Sequence, residues 1–327
     1  IVLLALQRIN ELKSKGIDRN STMITEKDAD WQTSVYNDPT TPDGKPSIAH
    51  YIKKILMVSD NDAFNRLYEF MGQQYINDQL QKKGLNSAQI LHHLNIFLTE
   101  EQNRMTNPIR FLDNNNQTIF LQPGQNNTAK YAPRNDSIGK GFYRGNQLVN
   151  GPMNFSKKNR ISLPDLHHIL MRLIFPEKFK ASERFNITED DRQFVMKYMS
   201  QYPTESTYPP YGADTTNYWP AYGKKILFGS AKGPLPENIR IFSKEGDAYG
   251  HLLDVTYVVD FKNKIEFFLS AVIYCNSDGI LNDDKYDYDT IGIPFMKALG
   301  QMIYDYELKR PRKYPPDLSP FVFKYDK

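Results

Sequence analysis

The sequence predicts an α/β (α+β) fold with segregated layers, and three observations predict it. Apolar residues recur at helical spacing through most of residues 1–83, β-rich runs follow one another over 239–275, and a last helical pattern covers 291–306. Helices first, an antiparallel meander next and a flanking terminal helix last describe a helical region beside a sheet. No internal repeat, GxGxxG or P-loop interrupts this order.

The elements follow in turn. Residues 1–15 read as a helix whose first turn, from Ile1 to Leu4, is apolar all round, the mark of a buried helix, with Gly16 as its stop. A polar stretch broken by Pro39, Pro42, Gly44 and Pro46 leads to Ser47, a natural N-cap for a helix carrying Ile48, Tyr51, Ile52, Ile55 and Leu56. A break at Ser59-Asp60-Asn61 opens a third helix through Ala63, Leu67 and Phe70, and 75–83 repeats the pattern. Residues 100–160 are polar and irregular and read as an extended loop or a set of insertions. Helices are expected over 164–175, capped near Ser162, and over 188–202; the Tyr- and Pro-rich stretch 208–222 reads as a surface excursion, with lining of a glycan or peptide cleft as its alternative. Strands are expected over 239–243, 251–261 and 264–275. The division is a helical region, 1–235, with insertions over about 100–225; strands and a terminal helix, 236–309; and a Pro-rich tail, 310–327, lying on the surface.

Composition narrows the function classes. With 41 basic and 38 acidic residues, scattered along the chain, the net charge of +3 lacks the basic excess of a nucleic-acid binder. Cys275 is the only cysteine, so there is neither an intrachain disulfide nor a cysteine metal site; its apolar neighbours predict a buried thiol. His92-His93 and His167-His168 are adjacent pairs without the spacing of a metal site and read as surface or boundary residues. No metal or cofactor is expected, and no apolar run reaches the length of a membrane span. Because the chain opens inside a buried helical pattern, an N-terminal segment is expected to precede Ile1.

The chemistry-bearing motif is Ser59-Asp60-Asn61 at a helix break, followed by Lys244-Glu245-Gly246 on the first strand of the meander and by Asp247-Ala248-Tyr249-Gly250. The order resembles the S-x-x-K, S-D-N and K-T-G set of class A β-lactamases and penicillin-binding serine hydrolases, with S-x-x-K falling just ahead of Ile1. A capping role for Ser59-Asp60-Asn61 is compatible with that resemblance. The resemblance implies an exported, periplasmic or envelope enzyme that forms an acyl-serine on a β-lactam, amide or ester, with a small-molecule or peptidoglycan-like substrate. It makes Ser59 the proton-relaying hydroxyl, Lys244 the cation that keeps the site electropositive, and Asn61 an amide for substrate and catalytic lysine. Asp60 becomes the buried acid that fixes the loop, and a backbone N–H near Asp247 or Ala248 becomes an oxyanion donor.

Two departures stand out. Glu245 replaces the hydroxyl residue that helps to bind a substrate carboxylate, placing a negative charge among the substrate-binding residues Asn61, Glu245, Gly246 and Asp247. No E-x-x-L-N deacylation motif is present, and Glu100 and Glu101 read as a solvated turn. A non-catalytic ligand- or peptidoglycan-binding protein on the same scaffold is therefore the alternative.

Overall fold

A computed structural model describes residues 1–326. The helical layer holds α1 (Val2–Glu11), α2 (Ile48–Val58), α3 (Asn61–Met71) and α4 (Gln73–Lys82). As its apolar first turn predicts, α1 is interior, with Ala5 and Leu6 fully buried. Ser47 caps α2 through a bond from the His50 N–H at 3.2 Å. Between α1 and α2 the polar stretch hides a strand, β1 (Thr22–Thr25), buried along its length.

The expected loop over 100–160 is corrected. It holds a one-turn helix, α5 (Glu100–Asn103), and short strands: β2 (Ile109–Leu112), β3 (Thr118–Gln122), β4 (Ser137–Ile138), β5 (Gly141–Arg144), β6 (Gln147–Asn150) and β7 (Met153–Asn154). β1, β2 and β3 form one antiparallel sheet, with Thr22 opposite Leu112 and Ile109 opposite Gln122. Runs of two to five residues interleaved with Asn, Gln and Gly carry too few alternations to register as strands.

Helices α6 (Leu163–Ile174) and α7 (Glu189–Ser200) follow, capped by Ser162 and Thr188, and then a distorted single turn, α8 (Lys225–Phe228). The predicted meander is present as β8 (Ile239–Ala248), β9 (His251–Asp260) and β10 (Ile265–Tyr274), in the order β10-β9-β8. The β8–β9 turn puts Tyr249 and Gly250 at positive φ; a Cβ on Gly250 would sit 2.7 Å from that of Asn276, so glycine is required there. A short β11 (Ile280–Leu281) pairs in parallel with β5, and α9 (Ile293–Lys309) closes the order.

Strand periodicity divides the core in two. Phe242, Val255, Tyr257 and Val259 face the helical layer, whereas Ile241, Leu252, Val258 and Ile265 face α9 and its Met296. Cys275 is buried in the α9-side core as expected, and burial pushes its thiol pKa up.

Two surface expectations are corrected. The Pro-rich tail turns inward: Leu318 and Phe321 are buried, and the Phe321 ring lies 5.1 Å from Tyr257 and 5.5 Å from Phe242. In 208–222, Tyr211 joins the helical-side core and packs 4.7 Å from Tyr218.

Candidate active site

Ser59 ends α2 in the left-handed region, φ 58°, with its N–H bonded to Ile55 O at 3.1 Å. That reversal aims the chain into α3, where Asp60 rather than Asn61 is the cap, accepting from the Ala63 N–H at 2.8 Å. Asp60 also lies 3.4 Å from Lys54 and keeps a quarter of its side chain exposed, so it is not the buried acid expected. Asn61, the first residue of α3, is exposed.

Lys244 reaches the break from β8. Its Nζ donates to Ser59 Oγ at 2.7 Å and to the Glu245 carbonyl at 2.6 Å. Burial lowers the Lys244 pKa, and the Glu245 charge opposes that shift. Alternation along β8 places Lys244 with Phe242 on the helical side and Glu245 with Asp247 on the α9 side. The Glu245 carboxylate is therefore not the partner of Lys244. Its side chain is about nine-tenths buried and bonds Lys225, which also holds Asp247 at 3.1 Å. Burial alone would raise the Glu245 pKa, but Lys244 and Lys225 hold it below the usual carboxylate range. Lys225 carried no signal in the sequence, because a pair twenty positions apart across a loop has no periodicity to betray it.

Gly246 lies on the Lys244 face without a side chain. Pairing in this two-residue hairpin alternates from Ala248 opposite His251, so Glu245 and Asp247 turn their backbone groups away from β9, toward the open edge of β8. Of the Asp247 and Ala248 N–H groups, it is that of Asp247 that faces this open edge.

Beneath β8 lie two ionisable groups to which the sequence assigned no role. Lys224 is 2% exposed and donates to Met199 O at 2.5 Å; Asp254, opposite Glu245 in register, accepts from the Ile226 N–H at 3.0 Å and Thr256 Oγ1 at 2.9 Å. Burial drives the Lys224 pKa down and the Asp254 pKa up, displacing both toward their neutral forms.

Asn61 borders a cavity of about 280 Å³ that also touches Trp31, Asn65, Glu69, His93 and Asn95. Asn65 pins the loop before Asn95 with reciprocal bonds to the Leu94 backbone, at 2.9 and 2.8 Å. His93 corrects the surface expectation: it is buried, its Nε2 2.5 Å from Glu69 Oε1 and its Nδ1 2.8 Å from Asn103 Oδ1. The Asn103 amide nitrogen donates to Leu98 and Thr99 carbonyls, so its oxygen is the acceptor and His93 Nδ1 carries a proton. Glu69 also accepts from the Asn107 N–H at 2.6 Å. Asp62 pairs with Arg66 at 2.8 Å, so both carboxylates bordering this cavity are engaged. Glu100 is a surface group paired with Lys157 and Arg104, which hold its pKa low.

A Ser-x-x-Lys spelling does occur at Ser137-Ile138-Gly139-Lys140, but it spans β4 and a turn. A spacing of three brings two side chains to one face in a helix, not there. Among the described residues no group of three or more His, Cys, Asp or Glu is arranged to hold a metal ion.

Ser59 and Lys244 thus meet where the break between α2 and α3 abuts the edge strand β8. The chain belongs to the β-lactamase enzyme family, whose family model matches residues 2–306. No curated protein matches it. Similar solved structures include a β-lactamase from Sphaerobacter thermophilus, 13% identical over 91% of this chain and 78% of that one, with a TM-score of 0.45. A class A β-lactamase from Clostridium kluyveri is 15% identical over 93% and 81%, with a TM-score of 0.47. The structure of PBP-A is 12% identical over 93% and 79%, with a TM-score of 0.46.

Proposed function

We propose that this chain carries the proton-relay and substrate-binding parts of an envelope or periplasmic serine hydrolase that forms an acyl-serine on a β-lactam, amide or ester. The observation that carries the proposal is the 2.7 Å bond from Lys244 Nζ to Ser59 Oγ. A hydroxyl that accepts from an ammonium is oriented to pass its own proton to a leaving nitrogen, and the cation lowers the cost of the alkoxide character that develops. The open-edge Asp247 N–H is one oxyanion donor, and Asn61 offers a free amide to the substrate. No helical Ser-x-x-Lys stands in the chain, so the proposal takes the attacking serine and its lysine to be encoded ahead of Ile1.

Because the carboxylates bordering the Asn61 cavity are already paired, deacylation is expected to be slow and the acyl-enzyme long-lived. The test is to express the gene with its upstream codons and treat the folded product with a fluorescent penicillin and a fluorophosphonate. Labelling by either, lost in Lys244→Ala, supports the proposal; labelling by neither overturns it. Glu245 supports a second reading, a non-catalytic binding protein, and that reading holds if the upstream codons contain no Ser-x-x-Lys.

A further inference from the structure

The hairpin that carries the Asp247 N–H is the end of an edge strand, and both Asp247 and Ala248 are exposed. Its tip is gripped twice. On the α9 side, the Gly250 N–H donates to Tyr288 Oη at 2.9 Å and the Gly250 carbonyl accepts from the Cys275 N–H at 2.5 Å. The second grip comes from the turn after β7: the Phe155 ring meets Tyr249 edge-on, with centroids 4.8 Å apart and planes at 86°. Lys158 Nζ adds a cation 5.6 Å from the centre of the same Tyr249 ring.

The turn bearing Phe155 is itself fixed. Arg134, with a side chain only 5% exposed, donates from Nη2 to the Phe155 and Lys158 carbonyls, both at 2.6 Å, and from Nε to the Ser156 carbonyl at 3.1 Å. Asn159, the next residue along, accepts from the Leu91 and His92 N–H groups at 2.7 and 3.0 Å and donates to the His92 carbonyl at 2.9 Å. Gln89 and Arg160 exchange backbone bonds of 2.8 Å beside it. The 89–94 segment is held in turn by Asn65, about one helical turn past Asn61 on α3. An unbroken run of hydrogen bonds and one ring contact thus joins the Asn61 end of α3 to the tip of the β8–β9 hairpin.

We infer that Phe155 is a positioning residue: through Tyr249 it braces the β8–β9 hairpin against the helical layer, and so fixes the Asp247 N–H relative to the Ser59–Asn61 break. The inference rests on the proposed function for the role of Asp247, but not for the brace itself. A donor to a developing oxyanion acts only if it is already in place when the charge forms. An edge hairpin gripped on one side alone would let that donor move, and small displacements of a positioned group are costly in rate. The brace is the one link in the run that is a ring contact rather than a hydrogen bond, so a single side chain removes it.

The test is amide hydrogen exchange of the chain, read by mass spectrometry over residues 245–250, in Phe155→Ala and in the conservative Phe155→Tyr. Phe155→Ala is expected to exchange there about five- to tenfold faster, the range set by losing one aromatic pair, with exchange in α2 and α3 unchanged. Phe155→Tyr keeps the ring and should exchange as the parent does. In the protein expressed with its upstream codons, Phe155→Ala should lower the limiting rate of acylation by a fluorescent penicillin by a similar factor. The half-saturating concentration should stay within about twofold, and Phe155→Tyr should recover the rate. Unchanged exchange over 245–250 in Phe155→Ala overturns the inference. So does faster exchange that spreads through α2 and α3, or a limiting rate that holds while the hairpin loosens. If the parent protein is labelled by neither penicillin nor fluorophosphonate, the hydrolase proposal falls, and exchange alone then decides the brace.

Discussion

Lys244 Nζ and Ser59 Oγ, 185 positions apart in sequence, meet at 2.7 Å across the junction of α2 with β8. The bond ties the sheet to the helix break and leaves the hydroxyl proton free to move. Replacing Lys244 by Ala removes both the orientation and the charge. In the full gene product it should slow acylation by a fluorescent penicillin by about 10²–10³-fold, the range for one charged donor in a closed site. Lys244→Arg keeps the charge without the geometry and should recover only part of the rate. Equal labelling rates in all three proteins would remove Lys244 from the chemistry.

The same serine holds an uncommon backbone conformation, which separates its two roles. At φ 58° a side chain costs about 1 kcal/mol that glycine does not. Ser59→Gly and Ser59→Ala both lose the hydroxyl, so both should lose activity alike. In denaturant titrations, however, Ser59→Gly should be more stable than Ser59→Ala by about 1 kcal/mol. Equal stabilities would mean that the bend is not imposed by the helix junction.

Glu245 is tolerated in the sheet because Lys225 reaches it. Lys225→Met leaves a nearly buried carboxylate unpaired and should cost about 3 kcal/mol, the usual penalty for breaking such a pair from one side. Lys225→Met combined with Glu245→Gln should recover most of that loss, because neither charge is then stranded. Simple additivity of the two single variants in a double-mutant cycle would show that the pair does not couple.

Much of this architecture was legible in the sequence, for reasons that also explain the rest. The meander declared itself because ten-residue strands give enough alternation, and the Ser59 break because three capping residues interrupt two apolar helices. The tripeptide and the order of Lys244 after it pointed to the site's centre. Glu245 was visible as an oddity, but its partner was not, since Lys225 comes from an irregular turn. His93 was hidden for a related reason: its partners, Glu69 and Asn103, lie on two separate helices. The tail deceived by composition, because its prolines mask the inward turn of Leu318 and Phe321.

Acid sensitivity follows from a group outside the site. His50 is buried on α2, with Nε2 2.7 Å from Thr40 Oγ1, whose own proton goes to Asp38 Oδ1 at 2.5 Å. Thr40 must then accept, so the neutral ring carries its proton on Nε2. Burial pushes the His50 pKa down to about 4, against the pull of Asp38. A folded pKa below the unfolded value of 6.5 means that the unfolded chain binds the extra proton first. Stability should therefore be unaffected by His50 above about pH 6.5 and should fall as pH drops from there to about 4, by at most about 3 kcal/mol. His50→Gln keeps a donor toward Thr40 but cannot titrate, so its stability curve should be flatter across that window. Parallel curves for the two proteins between pH 6.5 and 4 would place the acid sensitivity elsewhere.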